Sequence, residues 1–122
     1  MAPQPVSPSP ASPPEVRPSR EAILDHITRT IVERFRPRRI VLFGSQARGD
    51  AAPDSDYDIF VEMDTDLRPW QRSAAIHRAL LPRRYGLDVV VNTPAEVQQW
   101  SGLPGTILAV LEREGQVLYE RT

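Results

Sequence analysis

Ile40-Val41-Leu42-Phe43-Gly44-Ser45-Gln46-Ala47-Arg48-Gly49, followed by Asp54-Ser55-Asp56-Tyr57-Asp58-Ile59-Phe60-Val61, is the stretch that decides the fold. An apolar run enters Gly44-Ser45, ten residues intervene, and Asp56-Tyr57-Asp58 opens a second apolar run. The pattern reads as a strand, a Gly-Ser turn, a polar connection and a second strand over 56–62 with two carboxylates at its mouth. Residues two apart on a strand point to the same face, so Asp56 and Asp58 project together. Side-by-side anions repel, and both stay ionised without large cost only beside a cation. Magnesium suits that place, because it takes carboxylate oxygens together with substrate phosphates. Gly44 and Ser45 would offer backbone N–H groups to those phosphates.

Helical spacing appears upstream of this stretch. Ile23, Ile27, Ile31 and Phe35 recur on one helix face with Leu24 and Val32 beside them, Ser19 is a candidate cap, and Pro37 stops the helix. Arg38 and Arg39 lead into a strand over 39–43, and Ser45 can cap a one-turn helix that reaches Arg48. Gly49, Asp50, Pro53, Asp54 and Ser55 make the connection turn-rich. Downstream, Pro69 opens a helix over 69–82 with Trp70, Ala74, Ile76, His77, Leu80 and Leu81 as its apolar positions. Gly86 ends a turn before a third strand over 87–91, and Thr93 caps a helix over 94–100. A helix over 104–114, a C-cap at Gly115 and a short strand over 116–119 complete the pass.

Asp88 stands out because it opens an otherwise Val-rich strand, where an unpaired charge is costly. If the third strand lies beside the second, Asp88 completes a triad with Asp56 and Asp58. Such a set can hold two metal ions for in-line phosphoryl or nucleotidyl transfer. Asp88 is also placed to act as the base that takes a proton from an attacking hydroxyl.

Composition narrows the classes. With 122 residues the chain is one domain's worth. It has no cysteine, which excludes disulfide staples and thiolate zinc sites, and only His26 and His77 as histidines. A formal net charge of −1 gives no overall basic field, so direct nucleic-acid binding is not expected. There is no lysine, so Arg supplies every permanently cationic side chain, which favours forked contacts with phosphate. No apolar run is long enough to span a membrane and no signal peptide is evident, so a cytoplasmic location is expected. Residues 1–18 are rich in Pro, Ser and Ala and read as a disordered tail ahead of one domain over 19–122.

Gly44-Ser45-Gln46-Ala47-Arg48-Gly49 with Asp54-Ser55-Asp56-Tyr57-Asp58-Ile59 resembles the signature of the DNA polymerase beta-like nucleotidyltransferase superfamily. It is most similar to the minimal nucleotidyltransferases of HEPN/MNT toxin–antitoxin pairs. The resemblance covers residues from about 20 to 120, with the motif confined to 40–61. It implies an α+β fold, a mixed β-sheet flanked by helices as in the polymerase beta palm. It implies ATP or another nucleoside triphosphate bound across Gly44 and Ser45; from its own place beside that turn, Arg48 is a candidate to help hold the triphosphate. It also implies Mg2+ held by Asp56, Asp58 and Asp88, with two ions. Relatives that modify antibiotics carry an additional helical domain for the acceptor, and none is expected in this chain. In the minimal type the acceptor is a separate HEPN protein, a toxin whose tyrosine receives AMP while the nucleotidyltransferase is the antitoxin, in a hetero-oligomer. Two other functions stay open: a non-catalytic binding module that neutralises its partner by complex formation, and a small-molecule (antibiotic) nucleotidyltransferase.

Several residues have a plainer reading beside the functional one. Arg48 can be a surface charge paired with Asp50 or Asp54, and Asp88 a structural carboxylate paired with Arg83 or Arg84. Tyr57 is expected to pack in the core or at a strand edge. Trp70 and His77, seven residues apart on one helix, are expected to pack against core or partner. The group Arg34, Arg36, Arg38 and Arg39 reads as a solvated edge.

Overall fold

The computed structural model describes residues 18–121. Apart from Pro18, the tail read at the N-terminus lies outside the described residues. Helix α1 spans Arg20–Phe35. Its N-terminus is capped by Ser19, whose Oγ accepts the Ala22 N–H at 3.1 Å. It ends where Arg36 turns into the left-handed region at φ 51°, one residue ahead of Pro37. Strand β1 (Arg39–Phe43) runs into the one-turn helix α2 (Ser45–Arg48), and β2 (Tyr57–Glu62) returns beside it. Then come α3 (Pro69–Ala79), β3 (Leu87–Asn92), α4 (Pro94–Trp100), α5 (Ile107–Glu114) and β4 (Gln116–Glu120).

The four strands form one sheet in the order β3-β2-β1-β4. β2 and β3 are parallel, and β1 is antiparallel to both β2 and β4. The sheet is therefore mixed and flanked by helices, as expected for an α+β chain. Strand alternation divides it into two faces. Ile40, Leu42, Ile59, Val61, Val89 and Val91 face α1 and α3, where they meet Ile27, Ile31, Ile76 and Leu80. Val41, Phe60 and Val90 face α4 and α5, where they meet Leu108 and Leu111. Each fully buried aliphatic side chain of this kind contributes about 1.5–3 kcal/mol.

Several boundaries differ from the reading of the sequence. The helix expected over 69–82 stops at Ala79, because Pro82 lacks an N–H and disfavours helical geometry at Leu81. The helix expected over 104–114 begins at Ile107, with Thr106 as its cap residue and Pro104-Gly105 in the preceding turn. β2 starts at Tyr57, so Asp56 sits just ahead of the strand. β3 runs on to Asn92 and β4 to Glu120. Gly115 does cap α5, but in extended geometry at φ −69°. Trp70, read as an apolar packing position, is 69% exposed. Arg72 is buried instead, because its guanidinium finds Leu67 O, Val91 O and Glu96.

Candidate active site

The parallel register of β2 and β3 sets Asp58 directly beside Asp88. Both belong to the face that carries Phe60 and Val90, at the C-terminal end of α5. Asp56 precedes Asp58 by two residues at the same end of the sheet. Thus the third strand does lie beside the second, with Asp88 next to Asp58. Arg83, a candidate partner of Asp88, donates to His77 O at 3.0 Å.

Two glycines make the space for two of these carboxylates. Phe43 pairs with Asp58 across β1 and β2, so Gly44 arrives beside that side chain. A Cβ at Gly44 would overlap Asp58 Oδ2, and its φ of 75° already favours glycine. A Cβ at Gly86 would overlap Asp56 Oδ1. Gly86 O also accepts the Tyr57 N–H at 3.0 Å, which extends the β2–β3 ladder to the residue after Asp56.

The electrostatics follow from this crowding. Burial pushes the Asp58 carboxyl above its ordinary value, and the charges of Asp88 and Asp56 push it further. Arg48 pulls it back and Glu114 adds to the rise. The three aspartates are neighbours rather than a closed cage. Among the described residues, no three His, Asp or Glu side chains are gathered to hold a metal ion by themselves. Oxygen ligands from substrate phosphates and water would be needed to complete a magnesium shell, which is how that ion is ordinarily held.

The Gly-Ser turn differs in detail from its sequence reading. Gly44 is the cap residue of α2 and Ser45 is its first helical residue, so Ser45 is not the cap. The reason lies in the backbone: at φ 75° and ψ −159°, the position before the helix is one that glycine adopts most easily. Gln46, 8% exposed, ties the turn to the connection that follows, its Nε2 donating to Ser55 O at 3.2 Å. The Arg20 guanidinium donates to Gln46 O at 3.0 Å and anchors the turn to α1.

Glu114 is the residue that sequence reading missed. Its Oε2 accepts the Gly44 N–H at 2.8 Å, a donor the sequence reading had assigned to phosphate. It also accepts Arg48 Nη1 at 3.1 Å, while Arg48 Nε donates to Asp50 at 3.2 Å. The Gly44 N–H and Arg48 together hold the Glu114 carboxyl below its usual range. One signal was available: an acid in the last helical position opposes the helix dipole, which suggests a partner elsewhere. Gly86 was missed as well, since its sequence context marks only a turn.

Tyr57 packs in the core, 6% exposed, with its ring edge-on to Tyr85 at 5.7 Å. Of the arginine group, Arg39 pairs with Glu62 at 3.2 Å and stacks over Phe60, Arg38 is exposed with its Nε 3.9 Å from the same carboxylate, and Arg36 is solvated.

Residues 24–114 match the family model described as nucleotidyltransferase domain. That span contains the Gly-Ser turn, the three aspartates and Glu114. The chain belongs to the nucleotidyltransferase domain family. No curated protein matches this nucleotidyltransferase. Among solved structures, it is similar to a putative nucleotidyltransferase from Sulfolobus solfataricus, with 21% identity, a TM-score of 0.56, and 81% of this chain and 79% of that chain covered. A toxin-antitoxin crystal structure with AMP-PNP aligns with 21% identity, a TM-score of 0.55, and coverage of 81% and 74%. A mutant of the toxin-antitoxin MntA-HpeT aligns with 18% identity, a TM-score of 0.52, and the same coverage. These likenesses show the fold that the nucleotidyltransferase adopts.

Proposed function

We propose that this nucleotidyltransferase uses magnesium to move AMP from ATP onto a tyrosine hydroxyl of a HEPN toxin, and that it acts as the toxin's cytoplasmic antitoxin. The observation that carries this reading is the side-by-side register of Asp58 and Asp88 next to Asp56, with Gly44 and Gly86 leaving room for the carboxylates. Three oxygen donors of one charge, one of them partly desolvated, suit a hard divalent cation. Asp56, Asp58 and Asp88 would hold it, with two ions when the triphosphate is bound. When bound, magnesium neutralises the gathered charge and polarises the phosphoryl oxygens.

The residues of the chain then have separate tasks. Ser45 and Arg48, at the turn that Gly44 opens, bind and orient the triphosphate. Asp88, exposed at the mouth of β3, takes the proton of the acceptor phenol. The phenolic oxygen attacks the α-phosphorus in line. The new P–O bond forms as the bond from the α-phosphorus to the bridging oxygen breaks, and pyrophosphate leaves. The partner assignment draws support from the toxin-antitoxin structures that share the fold, one of which contains AMP-PNP.

A second reading is neutralisation by complex formation alone. Leu67 and Trp70, 40% and 69% exposed at the start of α3, offer an apolar surface for it. The deciding experiment mixes the purified chain with its neighbouring gene product, magnesium and ATP, and follows the partner by intact-mass spectrometry. A gain of AMP units with wild type and none with Asp56→Asn is expected. A stable complex without mass gain favours the second reading, as does full neutralisation in cells by a variant lacking both Asp56 and Asp58.

A further inference from the structure

Glu114 lies 70 residues from Gly44 in the chain, yet its carboxylate meets the turn directly. Its side chain is only 16% exposed, and it gathers two donors of the same turn: the Gly44 N–H at 2.8 Å and Arg48 Nη1 at 3.1 Å. Arg48 Nε is held by Asp50, so the guanidinium is clamped along one side. Among the described residues, no acceptor meets Arg48 Nη2. A helix C-terminus is a poor place for an acid by itself, and one more carboxylate near Asp58 adds repulsion. Both effects are offset at Glu114 by the Gly44 N–H and Arg48, which hold its carboxyl below the usual range and tie it to the turn.

We infer that Glu114 is a positioning residue for the triphosphate, because it fixes at once the backbone of Gly44 and the direction in which Arg48 presents its remaining donors. Pinning Gly44 has a second consequence, since Asp58 packs against its Cα and shifts with it. A guanidinium clamped by two carboxylates loses little rotamer freedom when it meets phosphate. The inference rests on the nucleotide reading above.

The test titrates the full chain with AMP-PNP and magnesium by calorimetry, comparing wild type, Glu114→Ala, Glu114→Gln and Glu114→Asp. Loss of the two charge-assisted contacts in Glu114→Ala should weaken binding about tenfold. Glu114→Gln keeps an acceptor of the same length and should recover most of that loss. Glu114→Asp is one methylene short and should not, and it carries the test if the alanine variant fails to fold. Equal affinity in all four proteins overturns the inference and leaves nucleotide binding intact. Tighter binding by Glu114→Ala also overturns it, because Glu114 would then compete with phosphate for the same donors. Absence of binding by wild type would remove the nucleotide reading together with this inference.

Discussion

At Asp58, burial and the charges of Asp88 and Asp56 act in one direction and raise its carboxyl above the ordinary aspartate range. The folded state therefore holds that proton more tightly than the unfolded chain does. The cost is absent in acid, grows as pH rises through the ordinary aspartate value, and is complete above the raised value. Asp58→Asn should thus melt higher than wild type in metal-free buffer at pH 7, by about 2–4 °C. The gap should close below about pH 4. Thermal melts across that range check it, and a gap that persists in acid would remove charge as the cause. Gly86 offers a cleaner separation of site from fold. A Cβ there meets the tip of the exposed Asp56 side chain, which can swing away, so Gly86→Ala should leave the melting temperature within about 2 °C of wild type. Nucleotide transfer should fall by about 100-fold, because a displaced carboxylate loses its geometry. Parallel melting and transfer assays distinguish this from general unfolding. The Gly-Ser turn and the Asp-x-Asp pair were legible in the sequence, since their residues are contiguous. Gly86 and Glu114 were not, since nothing local marks which side chain each will meet.

The helices and strands were legible wherever periodicity or turn chemistry was strong. Ile23, Ile27 and Ile31 announced α1, and Thr93-Pro94 announced α4, whose capping box is completed by Glu96. The ends of α3 and α5 were less clear, because a helical pattern does not say where a proline or a cap will win. Arg72 is the clearest case of packing overriding pattern. It lies 7% exposed on α3, donating to Leu67 O at 2.9 Å, to Val91 O at 3.4 Å and to Glu96 Oε1 at 2.9 Å. Glu96 in turn accepts the Thr93 N–H at 2.9 Å, so one guanidinium ties α3, the end of β3 and the start of α4. Arg72→Ala leaves two backbone carbonyls and a carboxylate without that donor. It should cost about 2–4 kcal/mol, read from urea unfolding. A loss under about 0.5 kcal/mol would mean that water replaces the guanidinium without penalty.

Across the whole molecule, the two sheet faces divide the labour. The face under α1 and α3 holds the larger core cluster, and the face under α4 and α5 continues past α5 into the carboxylate site. Among the described residues, no helix is long and apolar enough to cross a membrane. The arrangement places Asp58 and Asp88 side by side on adjacent strands, with Asp56 just ahead of them. What the sequence by itself determined was local: the strand-turn-strand of the Gly-Ser stretch, the helical spacing of α1, the family and the mixed α+β class. These follow from neighbouring residues, whose φ, ψ and side-chain direction are set within a few positions. Only the tertiary structure decided that Asp88 stands beside Asp58, that Gly86 leaves room for Asp56, and that Glu114 closes on Gly44 and Arg48. Those contacts join segments separated by 30 to 70 positions in the chain, in round numbers. Their geometry comes from strand register and from the seating of α5 on Val41 and Phe60, which packing fixes and no local pattern records.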